Sequence, residues 1–207
     1  MNGYFRIKTL GMFVICMMLV PSLTQATPPN VKVNSDTSPY LQNEEQIWIS
    51  PLDANIVIAD WRDWRLGYRR VGIGVSTDGG ATWSDSLFTD VPFDRHSDPC
   101  LTGDRYGNFY ACALNYNSGG LGDSYIVVYR STDNGISWSG PVEICPWIFG
   151  TFEDKQFTTV DRTDGPHDGN YYVSWTRFYD GANRMIFVRS TDGTATFDDT
   201  VKVGPAE

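Results

Sequence analysis

An eight-residue motif that recurs at nearly constant spacing constrains the fold of this chain more than any other feature. The motif is Ser76-Thr-Asp78-Gly-Gly80-Ala-Thr-Trp83, and it returns as Ser131-Thr-Asp133-Asn-Gly135-Ile-Ser-Trp138 and as Ser190-Thr-Asp192-Gly-Thr194-Ala-Thr-Phe197. The copies start at residues 76, 131 and 190, which is 55 and then 59 residues apart. We call these segments the first, second and third repeat motifs. A repeat of this length is typical of a β-propeller blade with four strands.

Short runs of β-branched and aromatic residues surround each repeat motif, and no long stretch shows the apolar period of a helix. Examples are residues 55–59, 71–75, 125–129 and 185–188, which have the composition of strands. Four strands per repeat, named A to D in chain order, place the repeat motif in the turn between strands C and D. We therefore predict an all-β fold, a β-propeller of four-stranded blades. The predicted blade units are residues 44–93, 94–150 and 151–207.

The chemistry of the repeat motif explains its recurrence through turn structure. The Asp carboxylate and the Ser hydroxyl accept hydrogen bonds from backbone amides of the turn. The glycine permits a positive φ angle, and the final aromatic ring packs between strands. We therefore predict a structural role, and not a catalytic one, for Ser76, Asp78, Gly80, Trp83, Ser131, Asp133, Gly135, Trp138, Ser190, Asp192 and Phe197.

The first 26 residues have the features of a secretory signal peptide. A basic start is followed by an apolar run over residues 10–20 and by the small residues Thr24 and Ala26 at a cleavage position. The apolar run is shorter than the roughly 20 residues that a membrane-spanning helix needs. The sequence thus predicts an exported protein with no membrane span, in which residues 27–43 lead into the first blade.

Charge and cysteine content argue against several classes of function. The net charge of −9 disfavours nucleic acid and anionic membranes as partners. The two histidines and four cysteines show no spacing typical of a zinc site. After the predicted signal peptide, Cys100, Cys112 and Cys145 remain. In an oxidising compartment, an odd number leaves one thiol unpaired or paired with another chain.

The repeat motif resembles the Asp-box, or BNR repeat, of sialidases and related exported β-propellers. The resemblance extends from about Glu44 to the end of the chain, and segments such as Arg95-His-Ser-Asp98-Pro are similar to exported bacterial sialidase-like proteins. It implies a six-bladed propeller of which this chain supplies about three blades. The missing blades would come from a longer chain or from other subunits, because an open propeller exposes strand edges.

The resemblance also implies a glycan or glycoprotein partner, bound on the face opposite the repeat motifs. The loops between strands B and C and the connections from D to the next A emerge on that face. Their arginine, carboxylate and aromatic side chains suit sugars that carry an acid group. The predicted glycan-binding residues are Arg62, Arg65, Trp61, Trp64, Arg95 and Asp98.

Asp63 is the predicted catalytic residue, again through the resemblance. Sialidases place a general-acid Asp about a dozen residues before the first Asp-box, beside an arginine that binds the sugar. Asp63 lies 13 residues before the first repeat motif and directly after Arg62. A general acid needs a raised pKa, which the two neighbouring tryptophans would favour. An ion pair with Arg62 or Arg65 would instead lower the pKa of Asp63 and disable it as an acid.

The same resemblance predicts that this chain alone does not hydrolyse sialosides. Sialidases open their first strand with an Arg-Ile-Pro element, whereas Glu44-Glu45-Gln46 stands here, and acids there would repel a sialic acid carboxylate. The family's nucleophilic Tyr, its partner Glu and its remaining arginines come from later blades. Two functions stay open: part of a glycan-recognising sialidase-type glycoside hydrolase, or a non-catalytic propeller for adhesion or protein binding.

No cofactor is required by these motifs, but calcium is one interpretation of three carboxylates. Glu45, Asp98 and Asp154 each lie near the predicted start of a strand A, close to the central channel of a propeller. Carboxylate oxygens are suitable ligands for calcium. The alternative is that these residues cap strands and keep the surface soluble.

Overall fold

The structure, a computed structural model, describes residues 29–118, 123–179 and 181–204. These residues form twelve β-strands in three antiparallel sheets of four strands, each sheet following chain order. The all-β prediction with four-stranded blades is thereby confirmed. The described residues include no helix with the length and apolar character that a membrane span requires. The predicted signal peptide, residues 1–26, lies outside the described residues.

Each sheet is one blade, and its strands run from the innermost to the outermost. The first blade contains β1 (Gln42–Ile49), β2 (Val57–Asp63), β3 (Arg70–Ser76) and β4 (Ser84–Leu87). The second contains β5 (Arg95–Gly103), β6 (Phe109–Tyr116), β7 (Ser124–Ser131) and β8 (Ser139–Glu143). The third contains β9 (Thr151–Val160), β10 (Tyr171–Tyr179), β11 (Ala182–Ser190) and β12 (Val201–Val203).

Two apolar cores hold the blades together, one at each junction between neighbouring sheets. The first junction buries side chains such as Ile58, Ile73, Phe109 and Val127. The second junction buries side chains of the second and third blades, among them Ile126 and Trp175. Each fully buried aliphatic or aromatic side chain contributes roughly 1.5–3 kcal/mol. Burial between two neighbouring sheets therefore explains why the central strands of the second blade, β6 and β7, are buried on both faces.

The innermost strand of every blade carries a β-bulge at the equivalent position. The pairing of β1 with β2, of β5 with β6 and of β9 with β10 shifts register there. The bulges contain Glu44, Asp98 and Lys155, with φ angles of 63°, 52° and 53°, a region that non-glycine residues occupy rarely. Such a bulge redirects side chains locally, so each blade presents a specific residue near the centre of the stack.

Glutamine side chains connect these inner strands across the junctions. The Leu101 amide donates a hydrogen bond of 3.0 Å to Oε1 of Gln46, and the Gln156 side-chain amide donates to the Asp98 carbonyl. Backbone groups of β5, one of them in the bulge and one beyond it, thereby gain partners from the neighbouring blades. The relative positions of the three bulges are fixed as a result.

The repeat motifs form the turns between the third and fourth strands, with nearly the same hydrogen bonds each time. In the first motif, Gly80 N donates to Ser76 Oγ (2.8 Å), and Thr82 N donates to Asp78 Oδ1 (2.8 Å). The indole of Trp83 donates to the Gly80 carbonyl at 3.0 Å. The second motif repeats these contacts. The geometry is that of a structural turn.

The third repeat motif keeps the carboxylate contacts but loses the indole bond. Asp192 Oδ1 accepts from Thr196 N at 2.9 Å, and Thr194 N donates to Ser190 Oγ at 3.0 Å. Thr194 has a φ angle of 73° where the other motifs have glycine. Phe197 packs edge-on to Tyr171, with ring centroids 6.3 Å apart. The degenerate copy therefore builds the same turn with a less favourable backbone residue.

The three cysteines of the described chain are buried free thiols. Cys100 and Cys112 lie opposite each other on β5 and β6, and Cys145 follows β8. Burial, and then the charge of Glu153, raises the pKa of Cys145 to about 12. These side chains act as small apolar groups of the core.

The stack of three blades ends in two outward sheet faces. On the first blade, the indole of Trp61 covers Gly72, and Val33 of the lead-in segment approaches Gly74. The Ser35 amide fastens this segment by donating to Asp85 Oδ1 at 2.7 Å. On the third blade, the outward face carries the stacked rings of Tyr172 and Phe187 with exposed apolar neighbours. We call these surfaces the first outward face and the third outward face.

Candidate functional site

Polar side chains gather at the ends of the strands opposite the repeat motifs. Because the strands of each blade alternate in direction, the turns from A to B and from C to D share one end of the sheet. The B–C loops and the D–A connections share the other end. Two groups of residues lie there. The carboxylate cluster consists of Glu44, Arg62, Asp98, Asp154 and Lys155, and the arginine patch consists of Trp64, Tyr68, Arg69, Arg70, Arg95 and Tyr116.

The carboxylate cluster is organised by Arg62 and the inner-strand bulges. Arg62 Nη1 lies 2.8 Å from Glu44 Oε1, and its Nε donates to Asn43 Oδ1 at 2.9 Å. The other Glu44 oxygen accepts from the Asp98 amide at 3.0 Å. Lys155 Nζ lies 3.9 Å from Asp98 Oδ2. The three bulges thus bring one charged side chain from each blade into a single network.

Two acids of this cluster, Glu44 and Asp154, hold their protons more tightly than free carboxyl groups. Burial raises the pKa of Glu44, the charge of Asp98 raises it further, and Arg62 opposes both effects. The pKa of Asp154 is also raised, first by burial and then by Asp98. Because Glu44 and Asp154 are only half-buried, protons on them are accessible to a bound ligand. The cluster can therefore act in proton transfer or donate hydrogen bonds to a polar ligand.

The predicted calcium ring is not formed in the described part of the chain. Among residues 29–118, 123–179 and 181–204, no group of three or more His, Cys, Asp or Glu side chains is placed to hold a metal ion. Glu45 is exposed, and Glu44 is the residue that contacts Asp98, because the bulge turns it to that side. Arg62 and Lys155 already supply positive charge among these carboxylates.

Asp63, the predicted general acid, is enclosed by hydrogen bonds. Its Oδ2 accepts from the Trp61 indole at 2.6 Å and from Arg65 Nη2 at 2.8 Å. Its Oδ1 accepts from the Arg65 amide at 2.7 Å. The side chain has no exposed surface, so a glycosidic oxygen cannot approach it in this conformation. The ion pair with Arg65 is the alternative stated above, and the catalytic role of Asp63 stays a prediction that this geometry disfavours.

Two predicted sugar-binding residues belong to the same internal structure. Trp61 has a relative exposure of only 3% and packs on Gly72, so it offers no free ring face. Arg65 contacts both Asp63 and Asp85, each at 2.8 Å. This differs from the predicted stacking and guanidinium contacts, because alternation along β2 points Trp61 and Asp63 toward the first outward face and Arg62 toward the second blade.

The arginine patch alternates guanidinium groups with aromatic rings. The guanidinium carbon of Arg69 lies 5.2 Å from the centre of the Trp64 ring and 5.9 Å from that of Tyr116, whose hydroxyl accepts from Arg69 Nη1. The Tyr68 ring lies between Arg70 and Arg95, at 4.6 Å and 5.1 Å. Rings at these distances attract a cation through their quadrupole. The patch therefore holds three positive groups in fixed positions.

Two of these guanidinium groups lack a carboxylate partner. Arg95 pairs with Asp94 at 3.2 Å, but Arg69 and Arg70 form no ion pair with any residue in the described ranges. Arg70 Nη1 donates to the Asp94 carbonyl at 2.6 Å, and its Nε is buried without a partner. Burial nevertheless acts to raise the pKa of Asp94, and hydrogen bonds from Ser118 and then the charges of Arg95 and Arg70 lower it. Guanidinium groups without a direct carboxylate contact can bind carboxylate, sulfate or phosphate through paired hydrogen bonds.

Two buried ionisable groups lie close to the site. Burial, and then the charge of Arg70, lowers the pKa of His96 to about 3, and neither ring nitrogen has a partner. Burial raises the pKa of Asp60 well above its usual value, and a backbone hydrogen bond from Gln46 opposes that effect. His96 therefore adds no charge to the arginine patch at neutral pH.

The sequence interpretation located this face but missed several of its residues. Trp64, Arg95, Arg62 and Asp98 were predicted, and the structure places all four in the two groups. Tyr68, Arg69 and Arg70, which lead from the B–C loop into β3, are not among the predicted residues. For the first blade, the sequence interpretation selects Glu45 as the carboxylate near the central channel, whereas Glu44 is the residue that contacts Asp98.

No protein-family model matches the sequence, and no curated protein matches it. Solved structures do match. The Hadza microbial sialidase Hz136 is 16% identical, with a TM-score of 0.57, and the match covers 75% of this chain and 36% of that one. An α-L-arabinanase from Penicillium chrysogenum, solved with arabinobiose, is 16% identical, with a TM-score of 0.57 and coverage of 78% and 49%.

A sialidase from Trypanosoma rangeli, solved with the inhibitor DANA, is also similar. It is 18% identical, with a TM-score of 0.52, and the match covers 75% of this chain and 30% of the sialidase. The chain thus spans between about a third and a half of the length of these proteins. At such identities, the likeness shows the fold, which is part of a β-propeller of the kind found in these glycosidases.

Proposed function

We propose that this chain is part of an exported β-propeller that recognises glycans carrying an acid group. The observation that carries the proposal is the arginine patch, where Arg69 and Arg70 lack carboxylate partners in the described residues of a chain with a net charge of −9. A guanidinium group binds a sugar carboxylate through two parallel hydrogen bonds. The partly exposed rings of Trp64 and Tyr116 add apolar surface for the sugar ring.

The fold supports this proposal without identifying the ligand. Two of the similar structures are sialidases and one is an arabinanase, so enzymes that act on glycans use this architecture. The repeat motifs resemble the Asp-boxes of sialidases, and hydrogen bonds from backbone amides to their Ser and Asp side chains hold the turns. Function belongs to the site and not to the fold, so the arginine patch is the part that experiments must test.

A hydrolytic role in the complete protein would draw its general acid from the carboxylate cluster. A general acid must carry a proton and reach the leaving oxygen. Glu44 and Asp154 have raised pKa values and partly exposed side chains, whereas Asp63 is inaccessible. The protonated carboxyl would donate to the glycosidic oxygen, and a second carboxylate would act on the opposite side of the sugar.

A non-catalytic adhesion or binding role is the second candidate. The observation that favours it is that basic side chains already pair with carboxylates of the cluster: Arg62 pairs with Glu44, and Lys155 lies beside Asp98. Such a network can fix the loops around a binding site without reacting. The two candidates share the arginine patch and differ only in turnover.

Export and further blades are also part of the proposal. The predicted signal peptide implies a mature protein that begins at Thr27. Mass spectrometry of the secreted protein identifies its N-terminal residue and tests this prediction. The third outward face exposes the apolar side chains of Phe157 and Met185, as a sheet that packs against another blade would. The coverage of the similar structures agrees with a longer chain or additional subunits.

Binding measurements with matched arginine variants test the proposed function. Arg69→Ala should weaken binding of a sialylated oligosaccharide by about tenfold or more, because a charge-assisted contact is lost. Arg162→Ala is the control: Arg162 also lies over a tryptophan ring, Trp48, at 4.6 Å, but in the turn between β9 and β10, at the opposite end of the blades. Calorimetry on both variants, with thermal melting as a check on folding, gives the comparison.

The outcomes separate the candidates. Equal losses in both variants, or equal affinity for the sialylated and the neutral oligosaccharide, would refute acid-group recognition at the arginine patch. Turnover of fluorogenic sialosides or arabinofuranosides by the protein would favour the hydrolase. If that turnover disappears in Glu44→Gln and persists in Glu45→Gln, the general acid lies in the carboxylate cluster. If turnover is lost only in Asp63→Asn, Asp63 is the general acid, as the sequence predicts.

A further inference from the structure

The loop between the second and third blades exposes three consecutive apolar residues. Trp147 and Phe149 have relative exposures of 45% and 80%, and Ile148 lies between them. The two rings meet edge to face, with centroids 6.1 Å apart. Single exposed apolar residues are ordinary, whereas a contiguous group marks a surface that contacts something else. The loop belongs to a D–A connection, so it lies at the same end of the blades as the arginine patch.

This loop is held in place by the residues at its two ends. Cys145 at its start is buried. At its end, the Thr151 amide and hydroxyl both donate to the Ile148 carbonyl, at 3.2 Å and 2.8 Å. Gly150 has a φ angle of 81°, which lets the chain reverse directly into β9. The rings are therefore presented on a closed turn.

A cleft of about 680 Å³ adjoins the loop. Ile148 lines it, and the exposed rings of Trp147 and Phe149 are the chain neighbours of Ile148 at the rim of the loop. The polar part of its lining includes Glu143, Arg177, Asp199 and Thr200. The volume is in the range of sites that take small molecules or sugar units.

The charge of the cleft differs from that of the arginine patch. Arg177 Nε lies 2.6 Å from Glu153 Oε1, and the buried Glu153 also accepts from the Trp175 indole. The guanidinium charge of Arg177 is thus already balanced. Glu143 and Asp199 then leave the lining with excess negative charge, which repels a sugar acid and accepts hydrogen bonds from sugar hydroxyls.

We propose that this cleft and its two rings form a second carbohydrate site, selective for neutral sugar units. The apolar C–H face of a sugar ring fits against Trp147 or Phe149, while hydroxyl groups donate to carboxylates in the cleft. The inference deepens the proposed function, since it rests on the chain recognising glycans. It differs in location and in ligand charge, so the two can fail separately.

Calorimetry with neutral and acidic ligands tests this site. The probes are uncharged arabino-, xylo- and manno-oligosaccharides and one sialylated oligosaccharide. Trp147→Ala and Phe149→Ala should each weaken binding of a neutral oligosaccharide by about five- to tenfold and leave the affinity for the sialylated one unchanged. Tyr40→Ala is the matched control, because it removes an exposed ring from the lead-in of the first blade. Arg69→Ala should show the reverse selectivity.

Several results would overturn the second site. One is that the wild-type protein binds no neutral oligosaccharide, and another is that Tyr40→Ala weakens binding as much as Trp147→Ala. A third is binding to phosphatidylcholine vesicles that Trp147→Ala abolishes, in the absence of sugar binding, which would assign the loop to a lipid surface. If Arg69→Ala has no effect while the neutral sugar still requires Trp147, the proposed function fails and this inference stands.

Discussion

The two outward faces of the stack are opposite sides of a blade, and they are completed differently. On the first outward face, Trp61 covers Gly72, and Val33 from the lead-in segment reaches Gly74, so that the indole is 3% exposed. On the third outward face, Phe157 and Met185 remain 59% and 54% exposed. A short segment of the chain thus covers part of one face, and the described residues cover no comparable part of the other.

The first and third blades also share a buried unit, which lies on the equivalent side of each blade. In each, a tryptophan opposite the bulge donates its indole N–H to a buried carboxylate that pairs with an arginine. The units are Trp61, Asp63 and Arg65, and Trp175, Glu153 and Arg177. Trp175 packs in the core against the second blade. The second blade covers Trp175, and the lead-in segment takes the equivalent position beside Trp61.

The largest expected effect distinguishes the covered face from the open one. Trp61→Ala should lower the free energy of unfolding by about 3–5 kcal/mol, because it leaves a cavity and removes a partner of buried Asp63. Phe157→Ala should change it by less than about 0.5 kcal/mol, since the ring is already exposed. Urea denaturation of both variants measures the difference. Similar losses would mean that the third face is buried in solution.

The second effect compares equivalent turn positions in the second and third blades. Gly135→Thr should destabilise by about 2 kcal/mol or more, because a Cβ there would lie 2.3 Å from Ile58 Cδ1 at a φ angle of 80°. Thr194→Gly should instead stabilise by up to about 1 kcal/mol, since glycine relieves the positive φ angle. Thermal melting of the two variants decides. A destabilised Thr194→Gly variant would show that threonine packing outweighs backbone strain.

A third test uses pH and should affect the first and third blades alike. Hydrogen bonds from Thr82 and Thr196 lower the pKa of Asp78 and of Asp192 to about 2. A lowered pKa in the folded state stabilises the protein above the unfolded value, near pH 4, and that stabilisation is lost as the pH falls toward 2. Asp78→Asn and Asp192→Asn should each reduce the acid dependence of the melting temperature. If only one does, the two turns are not equivalent.

The substitution with the smallest expected effect on the free energy of unfolding, Phe157→Glu, should have the largest effect on self-association. The isolated chain, residues 27–207, should self-associate through the third outward face. Phe157→Glu should reduce that association with little change in unfolding free energy, whereas Ile136→Glu, at an exposed position in the second repeat motif, should not. Light scattering over a concentration series makes the measurement. A wild-type chain that stays monomeric would remove this interpretation of the open face.

The strands and turns could be predicted because their signals are local. The repeat motifs fix three turns through contacts within a few residues, as Asp78 does with Thr82, and the strand runs follow from composition. The site was harder because it depends on packing. Nothing in the sequence says that a lead-in segment covers Trp61, and without that cover Asp63 has the pattern of an exposed loop carboxylate.

The bulges show a second limit of sequence interpretation. Glu44, Asp98 and Lys155 adopt positive φ angles without being glycine or asparagine, so no local signal marks them. A bulge shifts side-chain alternation by one residue, which is why Glu44 and not Glu45 contacts Asp98. Arg69 and Arg70 have no distinguishing sequence signal, because adjacent arginines usually belong to a solvated surface, and only the ring contacts set them apart.

The buried thiols allow one junction between blades to be probed by thiol labelling and not the other. Cys100, Cys112 and Cys145 all belong to the core between the second and third blades, and the core between the first and second contains none among its described residues. The thiolate is the form of cysteine that attacks a thiol reagent, and it is scarce while Cys145 stays buried with a pKa of about 12. The rate of thiol labelling in native buffer therefore measures how often the junction between the second and third blades opens. Labelling that outpaces global unfolding would show the third blade detaching while the first two remain joined.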